Sequence, residues 1–248
     1  MTFVTFARMI PGVKFPDMNL ETLLVSRDAE AVRVLRSTLE KLSIGIEVSA
    51  AAHSGSEVLS SSKFDAVIVD CDDLQGGVEV LRGLRKTNSN KTSVSFAILN
   101  GKTTTQQAFE MGANFVLQKP ITPNTAIRCF NAALSFMVRE RRRYFRCPID
   151  LPVILFFGQS QDMKVRATNL SEGGMAILSE AVLPKGSISK VQFTLPGTKI
   201  LMEPKGEIAW ADGLGRAGIK FLEVPDSSRE QLEKWLMRKL EADTRSPR

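Results

Sequence analysis

The chain has 248 residues, 43% of them apolar, and a formal net charge of +6. That length suits two ordinary domains, and that apolar share builds a buried core. One histidine, His53, excludes a histidine-based catalytic triad and a histidine-rich metal cluster.

Cys71, Cys129 and Cys147 are odd in number and far apart, which fits a reducing cytoplasm and forms neither a disulfide framework nor a metal site. No apolar run approaches the roughly 20 residues that span a bilayer, so stable membrane insertion is not expected. The first twelve residues lack the parts of a signal peptide.

Residues 1–20, with Pro11 and Pro16, read as an extended tail. A rhythm then begins. Leu23-Leu24-Val25 is a short apolar run, and Val32, Leu35, Leu39 and Leu42 follow at helical spacing with Asp28 placed to cap them. Strand-like runs recur at Ile44–Val48, Ala66–Val69, Val94–Leu99 and Phe115–Leu117. Helical patterns at Gly55–Ser62, Val78–Leu84 and Thr104–Met111 separate them. Five apolar strands alternating with helices predict a doubly wound parallel sheet covered on both faces. Its working loops lie at the strand C-terminal ends, where Asp70 and Lys119 face one another.

Phe64-Asp65-Ala66-Val67-Ile68-Val69-Asp70 and Gly112 to Pro120 resemble the receiver domains of two-component response regulators, over about residues 21–124. The resemblance implies that Asp70 is the phosphoacceptor position and Lys119 its sensor. It also implies two Mg²⁺-binding acids after the first strand, where this chain has Ser26 and Arg27. Asn100 stands where a hydroxyl residue is expected. Phosphoryl transfer to a carboxylate needs a cation, and Mg²⁺ wants anionic oxygens. The site therefore reads as vestigial, with no Mg²⁺ expected. Asp28 reaches it only by a slip of register, Arg27 is placed to pair with Asp70, and Asp70 with Lys119 reads as a rim ion pair.

Thr122–Arg139 is predicted as a helix, with residues 125–140 linking two domains. Ile127, Phe130, Leu134 and Met137 form one face. Cys129, Ala133 and Phe136 broaden it enough to meet a second domain or a second chain, so a homodimer is open.

From 141 to 248 the pattern is different. Val153–Phe157, Lys164–Thr168, Gly174–Leu178, Ser187–Leu195, Lys199–Trp210 and Gly218–Leu222 read as strands of a small antiparallel β-barrel. Turn residues at 158–160, 184–186, 196–197 and 212–213 separate them. A helix closes the chain, with Ser227 and Glu230 as its capping box and Leu232, Trp235, Leu236 and Leu240 as its stripe. Beyond Ala242 the tail is polar.

At the junction lies Glu140-Arg141-Arg142-Arg143-Tyr144-Phe145-Arg146, followed some way on by Asn169-Leu170-Ser171-Glu172-Gly173-Gly174. Guanidinium groups grip phosphate oxygens through paired donors and also read guanine O6 and N7. Asn169 and Ser171 suit a guanine edge or a phosphate oxygen, and Gly173 and Gly174 let the backbone approach closely. Arg-x-x-x-Arg with Asn-x-Ser-x-x-Gly at the head of a β-barrel resembles the PilZ domain, a bacterial sensor of cyclic di-GMP. The resemblance extends to Ile208-Ala209-Trp210 and Gly215–Phe221. It implies that Arg141, Arg142, Arg146, Asn169, Ser171, Gly173 and Gly174 bind cyclic di-GMP, that the arginine segment closes on the barrel, and that an unidentified downstream protein reads the change. Trp210 is expected in the barrel core and Arg143 as a solvated or interdomain charge. The protein is expected to be a cytoplasmic receptor, not an enzyme, with no cofactor and no DNA partner. A nucleotide-free interaction adaptor and a phosphorylation-driven regulator acting through Asp70 stay open as alternatives.

Overall fold

The computed structural model describes residues 19–158, 162–180, 183 and 187–244. Most of the expected N-terminal tail, part of the turn at 158–160, all of the turn at 184–186, and the end of the C-terminal tail lie outside them.

The first half is a parallel sheet of order β2-β1-β3-β4-β5. Its strands are β1 (Leu20–Val25), β2 (Ile44–Ser49), β3 (Ala66–Asp70), β4 (Val94–Leu99) and β5 (Phe115–Gln118). Between them run α1 (Ala29–Lys41), α2 (Ala52–Ser61), α3 (Gly77–Leu84) and α4 (Thr105–Glu110). The unbroken apolar runs follow from burial on both faces. Leu24, Ile68, Phe96 and Ile98 pack with α1 and with the long α5 (Pro123–Tyr144). Leu23, Val25, Val67, Val69, Ala97 and Leu99 pack on the other side with α2, α3 and α4.

The helix α5 begins at a capping box of Thr122 and Thr125 with Pro123 in its first turn. Its buried stripe is Ala126, Phe130, Ala133, Leu134, Met137 and Glu140. The last member of that apolar stripe is a carboxylate, 3% exposed. It accepts hydrogen bonds from Lys63 Nζ at 2.6 Å and Thr92 Oγ1 at 2.7 Å. The Lys63 ammonium also lies 4.1 Å from the Tyr144 ring centroid. The final turn of α5 is thereby fastened to the receiver-like half.

The second half is a curled antiparallel sheet of order β11-β10-β6-β7-β8-β13-β12-β9. It comprises β6 (Cys147–Phe156), β7 (Met163–Ser171), β8 (Gly174–Leu178), β9 (Ser187–Ile188), β10 (Lys190–Thr194), β11 (Leu201–Met202), β12 (Lys205–Ala211) and β13 (Arg216–Glu223). The stretch expected as one strand at 187–195 bends at Ser189: β9 pairs with β12 and β10 with β6. This bend brings the two ends of the sheet together. The stretch expected as one strand at 199–210 is likewise interrupted, between β11 and β12.

The last helix, α6, spans Asp226–Thr244. It starts before Ser227, so Ser227 lies in its first turn and not at its cap. Its stripe divides between two cores. Leu232, Trp235 and Leu236 belong to the barrel core, whereas Leu240 and Met237 pack in the core of the first half. Phe145 touches both cores at the junction. Among the described residues no helix is long and apolar enough to cross a membrane.

Candidate functional site

The arginine segment is helical through Tyr144 and turns extended at Phe145. Successive residues of a helix point about 100° apart, so each arginine faces a different neighbour. Arg141 turns toward the first half, where its charge acts on Asp65 and Glu21. Burial pushes the Asp65 carboxyl up to about 6, opposed by the Glu21 N–H and by the Arg141 charge. Arg142 turns toward the barrel. Its Nε donates to Glu172 Oε1 at 3.0 Å and its Nη2 to Glu233 Oε2 at 2.9 Å. Arg143 and Arg146 are exposed.

A cavity of about 390 Å³ opens on the outer face of the barrel. Arg143, Arg146, Asn169, Ser171, Gly173 and Gly174 border it, with Trp210, Gly218 and Lys220 opposite. Its volume lies within the usual range for small-ligand sites. A groove of about 330 Å³ adjoins it, also touched by Arg143 and Gly173 and walled by Glu172, Glu233 and Arg229.

Asn169 sits at a bulge where β7 pairs with β8, and its Oδ1 accepts from the Ala176 N–H at 3.2 Å. Ser171 Oγ donates to the Gly174 carbonyl at 3.0 Å, which holds the turn shut. Gly174 is required by packing: a Cβ there would lie 2.0 Å from the Ile219 carbonyl oxygen. Gly173 faces open space and keeps the cavity floor low. Of the seven expected binding residues, Arg146, Asn169, Ser171, Gly173 and Gly174 line the cavity. Arg142 stands beside it, engaged by two carboxylates.

One feature of the site departed from the sequence-based expectation. Trp210 is 50% exposed rather than in the core. A bulge between Ile208 and Trp210 breaks the strand alternation and turns the indole outward. The ring then lies across Gly218, where a Cβ would come within 2.1 Å of its Nε1. Arg143 is the exposed charge expected and also borders the cavity, and Lys220, which the sequence did not single out, borders it while donating to Glu207 at 3.2 Å. The one available signal was Trp-x₇-Gly across a hairpin, a large flat ring opposite a residue with no side chain.

At the C-terminal end of the parallel sheet a second cluster forms. Lys119 Nζ lies 2.6 Å from Asp28 Oδ2, 2.9 Å from Asp70 Oδ2 and 2.8 Å from Asp73 Oδ2. Ser26 Oγ donates to Asp70 Oδ2 at 2.9 Å, and the Asp73 N–H to Asp70 Oδ1 at 3.2 Å. Asp28 joins without any slip of register, because one of its oxygens caps α1 while the other reaches Lys119. Arg27 does not pair with Asp70; it donates to the Asp73 carbonyl oxygen at 3.1 Å. Asn100 donates to Asp73 Oδ2 at 3.0 Å.

The receiver fold implies Mg²⁺ here. The Asp28, Asp70 and Asp73 oxygens lie within 4.8 Å of one another, a spacing that could hold a cation. The Lys119 ammonium already bridges all three, so it stands where the divalent charge would be. The fit is therefore poor unless Lys119 withdraws.

Hydrogen bonds from Lys119 hold the Asp28 and Asp73 carboxyls below the usual carboxylate range. Burial works against the charge of Lys119, yet its bonds to Asp28, Asp73 and Asp70 push its pKa up. Depressed carboxyl pKa values add stability above the unfolded values near 4, and that stability is lost as pH falls through the folded ones. Lys119→Met should therefore cost about 3 kcal/mol at pH 7, where three carboxylates then face one another, and less near pH 3, where those carboxylates take up protons. Urea midpoints at the two pH values check this; an equal loss at both contradicts it.

Residues 140–238 match the PilZ domain model, and residues 22–130 match the response regulator receiver domain model. The chain is a receiver domain followed by a PilZ domain, two modules of signal-transduction proteins. Among solved structures it is similar to the chemotaxis response regulator CheY4 of Vibrio cholerae, at 19% identity and a TM-score of 0.43, over 46% of this chain and 98% of that one. It is also similar to a CheY-like receiver domain protein from Methanospirillum hungatei, at 19% identity and a TM-score of 0.43, over 49% of this chain and 98% of that one. No curated protein matches the chain.

Proposed function

We propose that the chain is a cytoplasmic cyclic di-GMP receptor that carries out no chemical step and passes ligand binding to a downstream protein. The observation that carries this reading is one cavity bordered by Arg146, Asn169, Ser171 and Gly174, with Arg142 bonded to Glu172 of the same turn. Two phosphates need several guanidinium groups at once, and guanine needs both an edge to hydrogen-bond and a face to stack on. Arg142, Arg143 and Arg146 supply charge, Asn169 supplies a polar edge, and the outward Trp210 supplies an apolar face. Arg141, on the far side of α5, reaches the ligand only if that turn unwinds.

The arginines reach the site from a helix whose buried end is bonded to the receiver domain. Moving them onto a ligand changes the contact between domains, so the signal is the domain arrangement itself. A second reading, an adaptor that binds no nucleotide, draws on the carboxylates that already occupy Arg142.

The receiver, on this account, works as a scaffold without Mg²⁺ and without phosphorylation of Asp70. Asp70 is fully buried, and Ser26, Lys119 and the Asp73 N–H occupy its oxygens. Incubation with Mg²⁺ and acetyl phosphate should leave the intact mass unchanged; a gain abolished by Asp70→Asn would contradict this.

Calorimetry with cyclic di-GMP tests the receptor reading. Wild-type protein should bind, and Arg142→Ala or Arg146→Ala should weaken binding at least tenfold, because each removes charge-assisted bonds of roughly 1.5–3 kcal/mol. No heat from the wild type favours the adaptor. Unchanged affinity in both variants would mean the ligand sits elsewhere.

A further inference from the structure

Arg142 is the one motif arginine that already has both sides of its fork filled, and the two carboxylates that fill it come from different elements. Glu172 lies in the β7–β8 turn, inside the Asn169–Gly174 stretch. Glu233 lies on α6, about one turn from the residues that enter the two cores. The Glu172 carboxylate lies 3.0 Å from Arg142 Nε and 3.0 Å from Nη2, and Glu233 lies 2.9 Å from Nη2. A phosphate that takes the same guanidinium in paired fashion must displace at least one of them.

We propose that Glu172 and Glu233 form a latch on Arg142, and that the ligand phosphate and α6 compete for that one guanidinium. Glu233 is then a positioning residue. It touches no ligand but sets how much of Arg142 is free, and it makes α6 sense occupancy of the cavity.

The consequence is reciprocal. If ligand loosens the hold of Arg142 on α6, then loosening α6 strengthens ligand binding by the same factor. The helix is well placed to use this, since its barrel side carries Leu236 and Trp235 while Leu240 reaches the receiver core. Trp235 Nε1 donates to the Pro196 carbonyl at 2.9 Å and keeps the helix docked when Glu233 lets go. The expected response is therefore a change in the central turns of α6, not its release. A partner protein that pulls on α6 would tune the affinity of the cavity.

The proposal rests on the cavity being a cyclic di-GMP site, and the test has one arm that does not. By calorimetry with cyclic di-GMP, Glu233→Gln should bind about threefold tighter, the size expected for a partly exposed ion pair. The gain should vanish in the Arg142→Ala background, whereas a simple through-space charge effect would persist there. Glu230→Gln, one turn away and paired with Lys234, should leave affinity unchanged. In the second arm, hydrogen exchange without ligand should be faster across the central turns of α6 in both Glu233→Gln and Arg142→Ala.

Equal or weaker binding by Glu233→Gln, or a gain that survives in the Arg142→Ala background, overturns the proposal. If the wild type binds no cyclic di-GMP, the receptor reading fails. The exchange arm still decides the latch then: faster exchange upholds it and unchanged exchange ends it.

Discussion

The buried carboxylate of Glu140 is the contact from which the rest of the arrangement follows. It ends an otherwise apolar stripe on α5, and it is kept there by Lys63 and Thr92 of the receiver domain. A charge so deeply buried is tolerated only when it is paired and hydrogen-bonded, so the last turn of the helix has one rotational setting. That setting decides where the next residues point. Arg141 meets the receiver, Arg142 meets the barrel, and Arg143 reaches the cavity. A quarter-turn error in α5 would send the arginines to the wrong partners.

Two cationic centres organise the two domains in similar ways. Lys119 gathers Asp28, Asp70 and Asp73, and Arg142 gathers Glu172 and Glu233. The difference lies in burial. Lys119 is nearly enclosed and its acids sit at the rim of a rigid sheet, whereas Arg142 is a quarter exposed beside an open cavity. An enclosed cation is hard to displace by a soluble anion, and an accessible one is easy. This contrast favours the barrel as the responsive domain and the receiver as its frame.

Much of this was legible in the residues. The receiver strands announce themselves because both faces of the sheet are buried, which leaves no polar position in Ala66–Val69 or Phe96–Leu99. The motif residues Arg146, Asn169, Ser171 and Gly174 converge because the β7–β8 hairpin brings them to the start of β6. Other features depended on events that periodicity does not encode. A bulge turned Trp210 outward, a bend at Ser189 divided one strand into two, and the single apolar stripe on α6 served two cores. Asp28 reached Lys119 because one carboxylate can cap a helix and accept from a lysine together. The Glu172 and Glu233 pairing joins positions far apart in the chain, which spacing alone cannot reveal.

The most direct test of the account is a crystal structure of the full chain with cyclic di-GMP. The account predicts ligand in the cavity, its phosphates on the Arg142 and Arg146 guanidinium groups, and a guanine against Trp210. Density for the nucleotide elsewhere, with Arg142 still bonded to both Glu172 and Glu233, would contradict it.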